Sequence, residues 1–596
     1  MPITSVRAAA LVAALPLLIA AAPAAKPSKA VKPLRAPPTA QTLATGGALK
    51  PDQAGVRIEH VDLSIEVFPE RKAIAGEAVL ALRADRDLPA IVLDLDRELP
   101  VSAVSLDGRA LPASAWRNPD GRLTITPPAP IAAGHPVAVR IRYGGIPVEA
   151  KRAPWDGGFV WAKTPDGRPW IATAVQGEGC DLFWPCIDHP TGEPDLVDLR
   201  VTVPAPLSAP SGGVLVDIKE DGGKRTFHWR IKTPNTYAVA LNIGPYVQLK
   251  DTYKSRFGDS FPIEFWTVEG NEAKARGLFA QFAPMLDFYE GMIGPYPFRS
   301  EKMGAVETPH LGMEHQTLNA YGAGYAQEIY GFDWLLHHEL SHEWFGNQMT
   351  NVDWDDMWLH EAFGTYMQPL YSQWLHGDME YMVRLNEMRV KTFNKFPIVS
   401  GKPMEEEAVY DAKVGPGTDI YYKGANMLHS LRALIGDKAF FQATRVLVYG
   451  RPDPKPGNFA PRYAVTDDFI KAVNDATGAD YGWFFDAYLR HAQLPDLVET
   501  REGDDLVLAW KTPAGRFPMP VEVKVGDKVV TLPMADGTGR VRVAGAVPVI
   551  VDPGSKILRR QPYLEAYHAW KTAKDASDKA KVDGAKADGA KAAKPK

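Results

Sequence analysis

The hydrophobic pattern of this chain changes period twice, and that change sets what it can fold into. From about residue 50 to 250, short runs such as "RIEHVDLSIEV", "VAVRIRYGG" and "LVDLRVTVP" alternate apolar and polar residues between Gly, Pro, Asp and Asn. Side chains on a strand point alternately to two faces, so these runs make half-buried strands, and their number points to a β-sandwich-like domain. After about 255, apolar residues recur at helical spacing in "NEAKARGLFAQFAPMLDFYEGMIG", "GFDWLLHHELSHEWFGNQ", "DDMWLHEAFGTYMQPLYSQWLHG" and "TDDFIKAVNDATGADYGWFFDAYLRH". Alternation returns from 498 to about 562, enough for a small β-sandwich of about seven strands. The expected layout is multidomain α+β: an N-terminal β-domain over 47–250, a mainly helical domain over 251–497 and a C-terminal β-sandwich over 498–562.

The two ends read differently. Arg7 precedes an apolar run from Ala8 to Ala22 that Pro16 interrupts, and small residues come after it. That run is short for a membrane span, so residues 1–25 are expected to be a signal peptide and the protein exported, periplasmic or secreted. Residues 26–46, rich in Pro, Ala and Lys, read as a flexible leader. Residues 563–596 repeat Lys, Ala, Asp and Gly and read as a disordered tail. A net charge of −5 from 67 basic and 72 acidic residues gives no footprint for nucleic acid. The two cysteines, Cys180 and Cys186, allow either a local disulfide in an oxidising compartment or two buried thiols.

The stretch "HHELSHEWFGN" at 337–347 crowds three histidines and two glutamates together. Asp333 is placed to cap a helix starting at Trp334. Helix positions four apart differ by about 40° in direction, so His338 and His342 can share an ion; five apart, as for His337 and His342, they diverge by about 140°. His337 is then a packing or surface residue, and Glu343 has no assigned part. A catalytic zinc needs a third protein ligand and an open position. Phe345 and Gln348 stand where the metzincin continuation requires Gly and His, which excludes that branch. Glu361, with 18 residues between it and His342, lies among Trp358, Leu359, Ala362 and Phe363, where an unpaired carboxylate would be costly. His360 is a rival ligand, and spacing alone does not decide between them.

At this point the chain resembles peptidase family M1, the zinc aminopeptidases that include aminopeptidase N and the leukotriene-hydrolase branch. "HELSHEWFGN…WLHEAFG" is similar to the family's H-E-x-x-H, 18-residue spacer and ligating Glu, which favours Glu361 because His360 stands at the family's Asn. "HLGMEHQTL" resembles G-x-M-E-N: it places Gly312 and Met313 beside the substrate and Glu314 on its free α-amine, with Leu311 and His315 departing from the pattern. "IYYKGANML" resembles the segment carrying the family's catalytic tyrosine and selects Tyr421 over Tyr422; "VQGEGCDLFWPCIDHP" puts Gln176, and more weakly Glu178, near the amine. The resemblance implies a thermolysin-like catalytic domain with one zinc on His338, His342 and Glu361. It further implies Glu339 as general base and acid, Tyr421 as oxyanion donor, and peptides with a free N-terminus as substrates. The same scaffold also accommodates a non-catalytic zinc-binding interaction protein or a hydrolase of the epoxide type. The family's large helical C-terminal domain is expected to have no counterpart here, since the stretch after residue 562 is too short for it.

Overall fold

The computed structural model describes residues 35–592 apart from Gln327 and Ala544. The signal peptide expected over 1–25 therefore lies outside the described residues, as does the first part of the leader. Strand Val56–Phe68 shows how the N-terminal domain forms: Val61, Leu63, Ile65 and Val67 turn inward at every second position and are buried. It pairs antiparallel with Ala73–Ala84 and parallel with Leu196–Pro204 inside an eight-stranded sheet. Two further three-stranded sheets share the same apolar core. Cys180 and Cys186, both fully buried, are joined in a disulfide that closes a short loop over "CDLFWPC".

The boundary expected at 250/251 falls inside a strand. Tyr246–Lys254 pairs along its length with Ser260–Val268, in a five-stranded sheet that continues through Met303–Glu307 and Asn319–Tyr321 to the edge strand Gly312–Met313. "YVQLKDTYK" alternates like the strands before it, so its period could not show which sheet would receive it. Three helices stand with this sheet: Trp334–Ser341, Trp358–His376 and Tyr422–Tyr449, the last interrupted at Gly436, whose φ is 79°. Among the described residues no helix is long and apolar enough to cross a membrane.

Two other expectations need correcting. From Pro38 onward the described chain packs as one unit, and the later part of the leader belongs to it. Ala40–Leu43 forms a helical turn capped by Thr39, Thr42 and Thr45 are buried, and Gly46 bridges to Glu405. Small residues with hydroxyls lack a hydrophobic period yet fit a groove by hydrogen bonding. At the other end, Pro562–Ala592 is one helix rather than a disordered tail. Its composition cannot build a core, but Ala and Lys favour helix, and Lys571–Asp575 and Lys574–Asp578 pair one turn apart. The His568 ring, near its start, donates to the Val390 carbonyl at 2.5 Å. Between these ends, the described residues of the C-terminal β-region form two three-stranded sheets, six strands from Asp496 to Val551 where about seven were expected.

Candidate active site

The helix Trp334–Ser341 starts where the sequence supplies a cap. Asp333 Oδ1 accepts the Leu336 N–H at 2.9 Å, and its Oδ2 accepts the Tyr321 hydroxyl at 2.6 Å, which ties the helix to the sheet. His338 and His342 project from one face, their Nε2 atoms 3.2 Å apart. His342 Nδ1 lies 2.9 Å from the Phe345 carbonyl; donating there leaves the Nε2 lone pair free to ligate. The helix Trp358–His376 lies against the Trp334–Ser341 helix at Gly364, where a Cβ would be 2.5 Å from Ser341 Oγ and 3.3 Å from His342 Cε1. This close approach brings Glu361 Oε2 to 3.4 Å from His338 Nε2 and 3.6 Å from His342 Nε2.

The two oxygens of Glu361 are treated differently. Oε1 accepts both the Tyr410 and Tyr421 hydroxyls, each at 2.9 Å, whereas buried Oε2 has no hydrogen-bond partner. An orphaned carboxylate oxygen facing two imidazole nitrogens would be costly unless a cation bridged them. Two imidazoles and one carboxylate are a donor set that suits zinc, and the three ligand atoms lie within 4.8 Å of one another. His360 is turned to other work: its Nε2 accepts the Asn351 N–H at 3.0 Å. His337 is buried in an aromatic cluster, stacked on Tyr371 with Phe288 and Phe332 beside it.

Glu339 is buried beside His338, and its carboxylate makes no hydrogen bond to a described residue. Burial, reinforced by the Glu314 and Glu361 charges, raises its pKa well above the ordinary carboxylate value. Gly312 makes room for it, since a Cβ there would overlap Glu339 Oε1. Glu314, two residues along the same edge, has its Oε1 fixed by Gln176 Nε2 at 2.6 Å and the Tyr237 hydroxyl at 2.9 Å. Asn347 holds the Glu314 carbonyl at 3.0 Å. The carboxylates of Glu314 and Glu339 and a His342 nitrogen lie within 4.8 Å of one another, so Glu314 borders the His338–His342–Glu361 group. Met313 is buried beside them.

Glu178 makes no hydrogen bond to Glu314 or Gln176. Its Oε2 is buried without a partner against Gly157, and burial with the Asp156 and Glu407 charges raises its pKa to about 7. Tyr422 points away from Glu361, under the Lys391 ammonium at 4.9 Å. Lys423 anchors the start of the tyrosine helix by donating to the His491 and Ala492 carbonyls at 2.8 and 3.0 Å. Glu343, unassigned from sequence, is fully buried and accepts the Thr317 N–H and Asn319 Nδ2 at 2.9 and 3.0 Å.

Sequence reasoning missed Tyr410 and Tyr237. Tyr410 lies 11 residues before Tyr421, across a Gly- and Pro-containing loop that carries no period. Tyr237 sits in "NTYAVALNIGPY", whose alternation reads as an ordinary strand.

Residues 298–488 match the family model described as the peptidase family M1 domain. The chain is 27% identical over 317 residues to a probable aminopeptidase 2 of Sulfurisphaera tokodaii, covering 50% of this chain and 38% of that protein. It is 28% identical over 306 residues to a leucyl aminopeptidase of Saccharolobus solfataricus, covering 48% and 37%. It thus spans about half or less of the length of these relatives. Among solved structures, an M1 zinc metallopeptidase from Deinococcus radiodurans superposes with a TM-score of 0.61 at 26% identity, covering 74% of this chain and 96% of that one.

Proposed function

We propose that this chain, whose residues 298–488 match the peptidase family M1 domain, is a zinc aminopeptidase of that family that removes the first residue from peptides with a free N-terminus. The observation that carries this reading is the fixed Glu314 carboxylate, held by Gln176 and Tyr237 and bordering the His338–His342–Glu361 group. An anion at that place holds an ammonium, and its distance from the metal-binding group measures one residue from the chain end.

His338, His342 and Glu361 would hold one zinc ion, with Tyr410 and Tyr421 orienting Glu361 through its other oxygen. When bound, zinc supplies Lewis acidity toward the scissile carbonyl and lowers the pKa of a coordinated water. Glu339 takes the proton of the attacking water on its carboxylate and delivers it to the leaving amine; its raised pKa suits both transfers. Tyr421 gives up its bond to Glu361, or shares it, to donate to the oxygen on which charge develops. Gly312 and Met313, on the edge strand, offer backbone groups alongside the substrate. With Glu339, Tyr421 and the three ligands all in place, the geometry does not favour a non-catalytic protein.

Export is proposed on the N-terminal sequence, and the Cys180–Cys186 disulfide is consistent with an oxidising compartment. Mass measurement of the mature N-terminus tests it. A panel of aminoacyl 4-nitroanilides, with and without a zinc chelator, tests the activity. Release from free but not N-acetylated substrates, abolished by chelation and restored by zinc, is expected. Cleavage that survives acetylation would remove Glu314 as the amine clamp.

A further inference from the structure

Glu406 is not used by the chemistry above, yet it is 8% exposed, and its carboxylate makes no hydrogen bond or ion pair with any described residue. Its backbone is fixed, because its N–H donates to the Thr45 carbonyl and the helix Glu406–Tyr410 carries Tyr410 onto Glu361. Its carboxylate is aimed at the amine end of the site: a Cβ built on Gly177 would lie 3.5 Å from Glu406 Oε2. Gly177 separates Gln176, which holds Glu314, from Glu178. Glu178 Oε2 is also buried and without a partner, and Gly157 leaves it room, since a Cβ there would overlap it.

Counting charges shows what is unmatched. The α-ammonium of a substrate brings one positive charge, and the fixed Glu314 carboxylate answers it. Glu406 and Glu178 remain as two further carboxyl groups beside the same subsite, with Lys151 acting on Glu178 from an exposed position. A buried carboxylate without hydrogen bonds or a countercharge is strongly disfavoured. We propose that Glu406, with Glu178 beside it, lines a pocket for the side chain of the first substrate residue and selects a cationic one, arginine or lysine. This rests on the aminopeptidase reading and names its substrate class. Burial, then repulsion from Glu178, Glu361, Glu314 and Glu407, raises the Glu406 pKa to about 8, so the carboxyl ionises fully when a cation arrives to pair with it.

The test compares kcat/KM for arginyl, lysyl, leucyl and alanyl 4-nitroanilides. Arginyl and lysyl substrates should exceed leucyl by tenfold or more, and Glu406→Gln should lower the arginyl-to-leucyl ratio at least tenfold. A wild-type preference for leucyl or alanyl substrates, or a ratio untouched by Glu406→Gln, overturns the pocket while leaving the aminopeptidase reading intact. If Glu406→Gln does not fold, the wild-type panel alone decides. If no amide is cleaved, the aminopeptidase reading fails, and calorimetry with L-argininamide and L-leucinamide on the wild-type protein decides the pocket. Argininamide bound at least tenfold tighter supports it, and equal binding overturns it.

Discussion

At the scale of single residues, the site separates groups that hold a metal from groups that move protons. The Glu339 carboxylate makes no hydrogen bond to a ligand, so Glu339→Gln should keep its zinc while losing about 10²–10⁴ in kcat. Metal analysis of the purified variant beside its turnover checks this, and retained activity would remove Glu339 as the base. The two tyrosines on Glu361 Oε1 make equal contacts but should differ in effect. Tyr410→Phe removes only an orienting bond to a ligand and should weaken zinc affinity about 10–100-fold, with kcat little changed at saturating zinc. Tyr421→Phe should instead cost about 10²–10³ in kcat that added zinc does not restore. Equal responses to zinc would mean that Tyr421, too, does no more than position Glu361.

At the scale of elements, the site depends on how closely two helices approach. Gly364 lets the Glu361 helix lie against Ser341 and His342, and a methyl group there has no room. Gly364→Ala should destabilise the protein by about 1–3 kcal/mol and lower zinc affinity by about tenfold or more, read by thermal melting and competition with a chelator. An unchanged affinity would show that the helices can part without moving Glu361. Much of this element level was legible in the sequence, because His338 and His342 are neighbours along one helix and spacing alone sorts them from His337. Glu361 was legible only through a motif spanning two helices. Tyr410, Tyr237 and Glu406 were not legible at all, since a five-residue helix and a single tight turn bring them to the site and both are too short to record a period. The tail helix was misread for the opposite reason: local propensity orders a segment whose composition offers no core.

At the scale of the whole molecule, contacts between the β-domain and the helical domain carry their own pH signature. Glu301 is buried, and its Oε1 accepts the N–H of Lys232, the last residue of a strand in the N-terminal sheet, at 3.0 Å. Burial raises its pKa to about 7, against the pull of the Lys232 N–H and the Lys232 and Lys302 charges. The folded protein thus keeps a proton that the unfolded chain releases near pH 4.5, so stability is lost as pH rises from there through about 7. Glu301→Gln should match the wild type near pH 4.5 and melt about 2–4 °C higher at pH 8, and a constant difference across that range would exclude Glu301 as the source. The leader tests the same junction from outside. Thr45 Oγ1 donates to Asp188 in the β-domain at 3.1 Å, and the Gly47 N–H donates to the Met404 carbonyl at 3.0 Å, two residues before Glu406. Gly46 packs on Trp354 so closely that a Cβ would overlap its ring. Each of these hydrogen bonds contributes about 1 kcal/mol, and together they hold the segment from which Tyr410 reaches Glu361. A protein beginning at residue 48 should therefore melt several degrees below one beginning at residue 38 and bind zinc more weakly, because freeing Met404 loosens the helix that carries Tyr410. Identical melting and zinc affinity in the two truncations would show that the leader merely rests on the surface.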